Sequence, residues 1–131
     1  MTAVLDASAA LAVIFGEPGE ARVRRAMNAG AAMSTVNLAE VVARLARIGR
    51  SRDEIARVRE SLMAGLAFID VDESVAVEAG LAIVVTRDHG LSLGDRICLM
   101  LAKARGVPVL TADGGMAAVA DGLGVTVELI R

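Results

Sequence analysis

The chain has no tryptophan and no tyrosine, and Phe15 and Phe68 are its only phenylalanines in 131 residues. That scarcity argues against a surface that holds single-stranded nucleic acid by stacking bases on aromatic rings. Cys98 is the single cysteine, which leaves no disulfide framework and no cysteine zinc site, and a reducing cytoplasm is expected. With His89 the only histidine, no Ser-His-Asp or Cys-His nucleophilic arrangement is credible; His89 reads as a loop residue and Cys98 as core. No uninterrupted apolar run reaches the ~18 residues a membrane span requires. Nor does a basic segment precede the first apolar stretch, so no signal peptide is read. Gly114-Gly115 is too short for a phosphate-binding loop, and neither the Walker A nor the dinucleotide fingerprint occurs.

What is present is apolar: 55% of residues, above the roughly 45–50% usual for a soluble chain. The Ala7–Phe15 and Ile97–Ala104 segments are apolar nearly all round, so an apolar patch covered by a partner or by a second copy is expected there. The length suits a single domain over residues 1–131. Net charge is −2, which does not make the whole molecule attractive to polyanions. The basic charge is uneven, however, because Lys103 is the only lysine among fourteen basic residues. Arg44, Arg47, Arg50, Arg52, Arg57 and Arg59 crowd one stretch that holds only Asp53 and Glu54 as acids. Guanidinium forks suit phosphates, while a solvated helical hairpin explains the same run equally well.

Short apolar runs alternate with helical patterns along the whole chain. Strands are expected at Thr2–Leu5, Ala31–Ser34, Ala67–Val71, Val109–Thr111 and Val125–Ile130. Helices are expected at Ala7–Phe15, Glu20–Asn28, Val36–Ile48, from Ser51 to about Met63, Ser74–Val85, from Ser92 to Ala104, and briefly at Met116–Ala120. Ser51-Arg52-Asp53-Glu54 and Ser92-Leu93-Gly94-Asp95 read as capping boxes. Such alternation implies an α/β fold with a parallel sheet of about five strands covered on both faces.

Four acids stand out against this background. Asp6 ends Ala3-Val4-Leu5, Glu40 lies in Asn37-Leu38-Ala39-Glu40-Val41-Val42, Asp95 closes Leu91-Ser92-Leu93-Gly94-Asp95, and Asp113 follows Val109-Leu110-Thr111-Ala112. A carboxylate among hydrophobes is costly unless it pairs, accepts hydrogen bonds or binds a cation. Each has an ordinary explanation: Asp6 as a helix cap, Glu40 paired with Arg44, Asp95 as the returning half of its capping box, Asp113 as a turn residue. One oxygen-ligand site for a hard divalent cation explains all four positions together. In an open parallel sheet such a site belongs beyond the strand carboxyl ends, where Asp6 and Asp113 fall. An all-carboxylate site with no nucleophile beside it suits metal-assisted hydrolysis of a phosphodiester.

The segments Val4-Leu5-Asp6-Ala7-Ser8-Ala9, Asn37-Leu38-Ala39-Glu40-Val41, Gly90-Leu91-Ser92-Leu93-Gly94-Asp95-Arg96 and Val109-Leu110-Thr111-Ala112-Asp113 occur in an order that resembles PIN-domain ribonucleases of the VapC type, toxins of bacterial type II toxin–antitoxin pairs. The resemblance spans nearly the whole chain. It implies a three-layer α/β/α fold, cleavage of RNA (tRNAs among the candidates) dependent on Mg²⁺ or Mn²⁺, inhibition by a cognate antitoxin, and homodimerisation. Asp6 and Asp95 match the principal metal-binding acids, Glu40 and Asp113 complete the quartet, and Thr111 matches the hydroxyl that buttresses the last acid. On that reading Arg44, Arg47, Arg50 and Arg52 are the candidate RNA contacts. Gly114-Gly115-Met116 departs from relatives that carry a further acid or Asn and then an aromatic, which bears on a second metal. Two rivals remain. A haloacid-dehalogenase-like phosphatase would use Asp70 and Asp72, yet Lys103 is poorly placed for it, and a catalytically silent PIN-like binding module would be expected to lack one of the four acids.

Overall fold

The computed structural model describes residues 1–131. Five strands, β1 (Ala3–Leu5), β2 (Ala31–Ser34), β3 (Leu66–Ile69), β4 (Val109–Thr111) and β5 (Val127–Leu129), form one sheet in the order β3-β2-β1-β4-β5. All four pairings are parallel. The helices are α1 (Ala7–Phe15), α2 (Glu20–Asn28), α3 (Thr35–Arg47), α4 (Arg52–Met63), α5 (Glu73–Leu81), α6 (Ile83–Thr86), α7 (Leu93–Arg105) and α8 (Gly114–Leu123), with a 3₁₀ turn at Arg87–His89 between α6 and α7.

Alternation along the strands divides the core. Ala3, Leu5, Ala31, Met33, Leu66 and Leu110 join buried residues of α1, α2, α3 and α4 on one face. Val4 and Val109 join buried residues of α5, α7 and α8 on the other. The result is the expected α/β/α sandwich. With so few aromatics, the first face is closed by small side chains: Ala9, Ala10 and Ala12 are fully buried, which lets α1 lie close to the sheet. Local signals set the helix ends. Asp6 accepts from Ala9 N–H at the start of α1, and Gly16 in the left-handed region (φ 67°) ends it. Both expected capping boxes form, at Ser51/Glu54 and at Ser92/Asp95.

Three expectations need correction. The helix read over Ser74–Val85 is two helices, parting at Ala82. The β-branched run Ile83-Val84-Val85-Thr86 is a poor helix former, and Thr86 turns its hydroxyl back onto the Ala82 carbonyl at 3.1 Å. The short helix at Met116–Ala120 runs instead from Gly114 to Leu123, because Asp113 caps it. Finally, the Ile97–Ala104 segment is not an open patch, since Ile97–Ala102 are buried among the sheet, α3 and α5 and only Lys103 and Ala104 are exposed. Exposed apolar side chains are instead concentrated on α5 and α6, where Leu81 is 62% and Val84 71% exposed.

β1 occupies the centre of the sheet. From it the chain builds outward through β2 and β3 on one side and through β4 and β5 on the other. The strand order therefore reverses between β1 and β4, and in open sheets of this kind ligands bind beyond the carboxyl ends of the strands at that point.

Candidate active site

Asp6 leaves the carboxyl end of β1 and is only 4% exposed. Its Oδ1 accepts from Ser8 Oγ at 2.7 Å and from Ala9 N–H at 2.9 Å, and its Oδ2 accepts from Thr111 Oγ1 at 2.5 Å. Thr111, fully buried on β4, in turn accepts from Asp113 N–H at 3.0 Å, so one hydroxyl ties the two strand-end acids together. Ser8 completes the tie by accepting from Ala112 N–H at 2.9 Å. Burial pushes the Asp6 carboxyl above the ordinary aspartate range; the bonds from Thr111, Ser8 and Ala9 oppose this, and the nearby negative charge of Asp95 adds to it.

Glu40, half-buried on α3, is also raised, chiefly by burial and further by Asp95, against the bond from Asn37. It does not pair with Arg44, whose guanidinium instead lies over the Phe15 ring, 5.8 Å from its centroid. Asn37 Nδ2 donates to Glu40 Oε1 at 2.7 Å. Asp95 sits in the first turn of α7, where Oδ2 accepts from Ser92 N–H at 2.9 Å. Asp113 caps α8, with Oδ1 accepting from Gly115 N–H at 2.8 Å. The charges of Asp6, Asp95 and Glu40 all reach the buried Cys98 thiol, which they and its burial push well up. That thiol is core, not nucleophile.

Capping and site are thus one geometry. Each acid commits an oxygen to the fold, and the second oxygens of Glu40, Asp95 and Asp113 have no hydrogen-bond partner in the chain. The three ion pairs, Arg22–Glu128, Arg24–Glu20 and Arg50–Glu54, leave all four acids without a cation. No three His, Cys, Asp or Glu side chains are arranged to grip an ion by themselves. The donor chemistry, oxygen-only and uncompensated, fits a hard cation.

Other sequence candidates fall elsewhere. Arg44 and Arg47 are exposed on the last turns of α3, and Arg50 and Arg52 at the α3–α4 hairpin; none bonds to the acids. Asp70 and Asp72 follow the edge strand β3, and Asp72 caps α5 through Val75 N–H at 2.8 Å. They are therefore away from the switch point, which removes the phosphatase reading. His89 is exposed on the 3₁₀ turn beside α8. Sequence reasoning passed over Ser8, Asn37 and Gly94 as site residues; the signal for the first two was a small polar side chain within an otherwise apolar helical run.

The PIN-domain family profile matches residues 3–122. No protein of curated function matches the chain in sequence. Among solved structures, the DNA-bound VapBC of Salmonella typhimurium superposes with a TM-score of 0.76 at 20% identity, covering 100% of this chain and 99% of that one. VapBC2 of Rickettsia felis, bound to a promoter DNA fragment, gives 0.76 at 15% identity over 98% of each chain. VapC20 of Mycobacterium tuberculosis, described as a toxin that cleaves the sarcin–ricin loop, gives 0.71 at 18% identity over 90% of this chain and 95% of its own. With the profile matching residues 3–122 and the fold in agreement, the chain belongs to the PIN-domain family.

Proposed function

We propose that the chain is a divalent-metal-dependent ribonuclease, the toxin of a type II toxin–antitoxin pair. What supports this reading is that Thr111 ties Asp6 to Asp113 at the ends of β1 and β4, that the charge of Asp95 reaches both Asp6 and Glu40, and that no Arg or Lys pairs with any of the four. Mg²⁺ or Mn²⁺ held by these carboxylates would orient a scissile phosphate and offset the charge that develops on it. The chain's part is positioning. Thr111 and Ser8 fix Asp6, Asn37 fixes Glu40, and helix N-termini hold Asp95 and Asp113. Arg44, Arg47, Arg50 and Arg52 would contact the RNA backbone, and a tRNA is a candidate substrate. A cytoplasmic location follows from such a substrate.

An antitoxin partner is supported by the toxin–antitoxin complexes among the structural neighbours. A groove of about 370 Å³ between α1, α3 and α4, lined by Ile14, Phe15, Ile55 and Val58 with Arg50 and Arg57 at its rim, offers an apolar seat with basic edges. The exposed face of α5 and α6 is the surface we assign to homodimerisation. Cleavage of RNA by the purified chain with Mn²⁺, lost in Asp6→Asn, tests the proposal. Undiminished cleavage by Asp6→Asn, or cleavage by wild type indifferent to chelation, would overturn it.

A further inference from the structure

Asn37 is fully buried in the first turn of α3, and its side-chain amide is fully engaged. Oδ1 accepts from Ser34 Oγ at 2.6 Å, while Nδ2 donates to Glu40 Oε1 at 2.7 Å and to the Gly94 carbonyl at 3.1 Å. The last two bonds reach different elements. Glu40 lies three residues on in the same helix, and Gly94 immediately precedes Asp95 on α7. One amide therefore links the two segments that carry neighbouring acids. Gly94 supplies the opposing wall: a Cβ added there would stand 2.6 Å from Glu40 Oε2, 2.7 Å from Cδ and 2.8 Å from Oε1. The backbone at Gly94 is helical and outside the left-handed region, so conformation does not demand glycine. Proximity to the carboxylate does.

We infer that Asn37 and Gly94 are positioning residues, a clamp that seats the Glu40 carboxylate beside Asp95 and so sets the metal affinity of the site; this rests on the metal-site reading above. Glu40 has no other hydrogen-bond partner and is repelled by Asp95. Released from the clamp, its side chain would turn toward water and regain rotamer freedom. A methyl group at position 94 would force that release cheaply, because the atoms in its way are the far end of a flexible side chain and not backbone. The clamp and a merely structural role therefore predict opposite signs for Gly94→Ala.

The test is a titration of Mn²⁺, followed by electron paramagnetic resonance of the free ion, on wild type, Asn37→Ala, Gly94→Ala and the control Gly80→Ala. Gly80 lies in α5 with nothing near its Cβ position. Each protein is also melted without metal and assayed for RNA cleavage against Mn²⁺ concentration. Both clamp variants should bind Mn²⁺ about 10–100-fold more weakly, with the Mn²⁺ midpoint for cleavage shifted by a similar factor. Gly94→Ala should melt at or above wild type, since alanine is the better helix former, and Gly80→Ala should bind as wild type does. Wild-type Mn²⁺ affinity in Gly94→Ala overturns the clamp, even if Asn37→Ala fails to fold. Wild type that neither binds Mn²⁺ nor cleaves overturns the reading of the site itself, and the clamp with it.

Discussion

Thr111→Val removes one hydroxyl and almost no volume, yet that hydroxyl holds three parts of the rim. It is the sole donor to Asp6 Oδ2 and the acceptor of Asp113 N–H, and it lies 3.3 Å from Ser8 Oγ. A hydrogen bond to a charged group is worth about 1.5–3 kcal/mol, and leaving the Asp113 N–H short of an acceptor adds about 1 kcal/mol. With Asp6 4% exposed, solvent does little to replace the lost donor. The expected loss of unfolding free energy is about 2–4 kcal/mol near neutral pH. Thr111→Ser keeps the hydroxyl and should cost only about 0.8 kcal/mol for one buried methyl. The loss should also depend on pH. The Thr111 bond lowers the Asp6 pKa against burial, so without it the folded-state value rises further. A raised carboxyl contributes stability that is complete below its unfolded value and lost as pH rises through the folded one. The Val variant should therefore fall further behind wild type at about pH 8 than at about pH 4.5. Urea unfolding at fixed protein concentration measures both arms. A loss under about 1 kcal/mol at the higher pH, or the same loss at both, would refute the account of Thr111 as the partner of an ionised Asp6.

The same sign governs the metal-free protein. Asp6 and Glu40 both titrate above their reference values of 3.8 and 4.5, so their contribution to stability declines as pH rises above those values. Thermal melts should show this decline flattened in Asp6→Asn, and Mn²⁺ should raise the melting temperature of wild type at alkaline pH but not that of the variant; equal metal responses would count against the site. Replacing Arg47, Arg50 and Arg52 with Gln should weaken RNA binding and flatten the slope of log affinity against log salt by about 2, if each neutralises one phosphate of a single strand; an unchanged slope returns them to a solvated hairpin. Leu81→Arg with Val84→Glu should leave the melting temperature close to wild type, since both side chains are exposed, and should make the chain sediment as a monomer at micromolar concentration; an unaltered sedimentation coefficient would place the dimer contact elsewhere.

How much of this could be read from the sequence varied with the range of the interactions. Helix starts were legible because caps are local: Ser51 with Glu54, Ser92 with Asp95, and Asp6 ahead of Ala7 declare themselves within three or four residues. The parallel sheet was legible from alternation alone. What failed was burial on all sides. An all-round apolar helix looks the same in sequence whether it meets a partner or the inside of its own domain, and the middle of α7 is enclosed by the sheet, α3 and α5. Equally hidden was the Asn37–Gly94 bond, which spans 57 positions. Nothing local at either residue announces the other; Gly94 reads as one more small residue in a capping box.

The four acids also show why capping is a poor reason to dismiss a carboxylate. A buried acid can be made tolerable by a Lys or Arg partner or by backbone N–H groups at a helix start. The first solution quenches the charge, and the second supports it while leaving an oxygen facing outward. Here Asp95 and Asp113 take the second course, through Ser92 and Gly115, while Asp6 is held on both oxygens, by Ala9 and Ser8 on one and by Thr111 on the other. Even so, burial and mutual repulsion leave Asp6 and Glu40 harder to ionise than in free solution. A domain under selection for stability alone would place salt bridges or apolar residues at these positions. Stability given up near the point where the strand order reverses is the cost that the proposed cation site would carry.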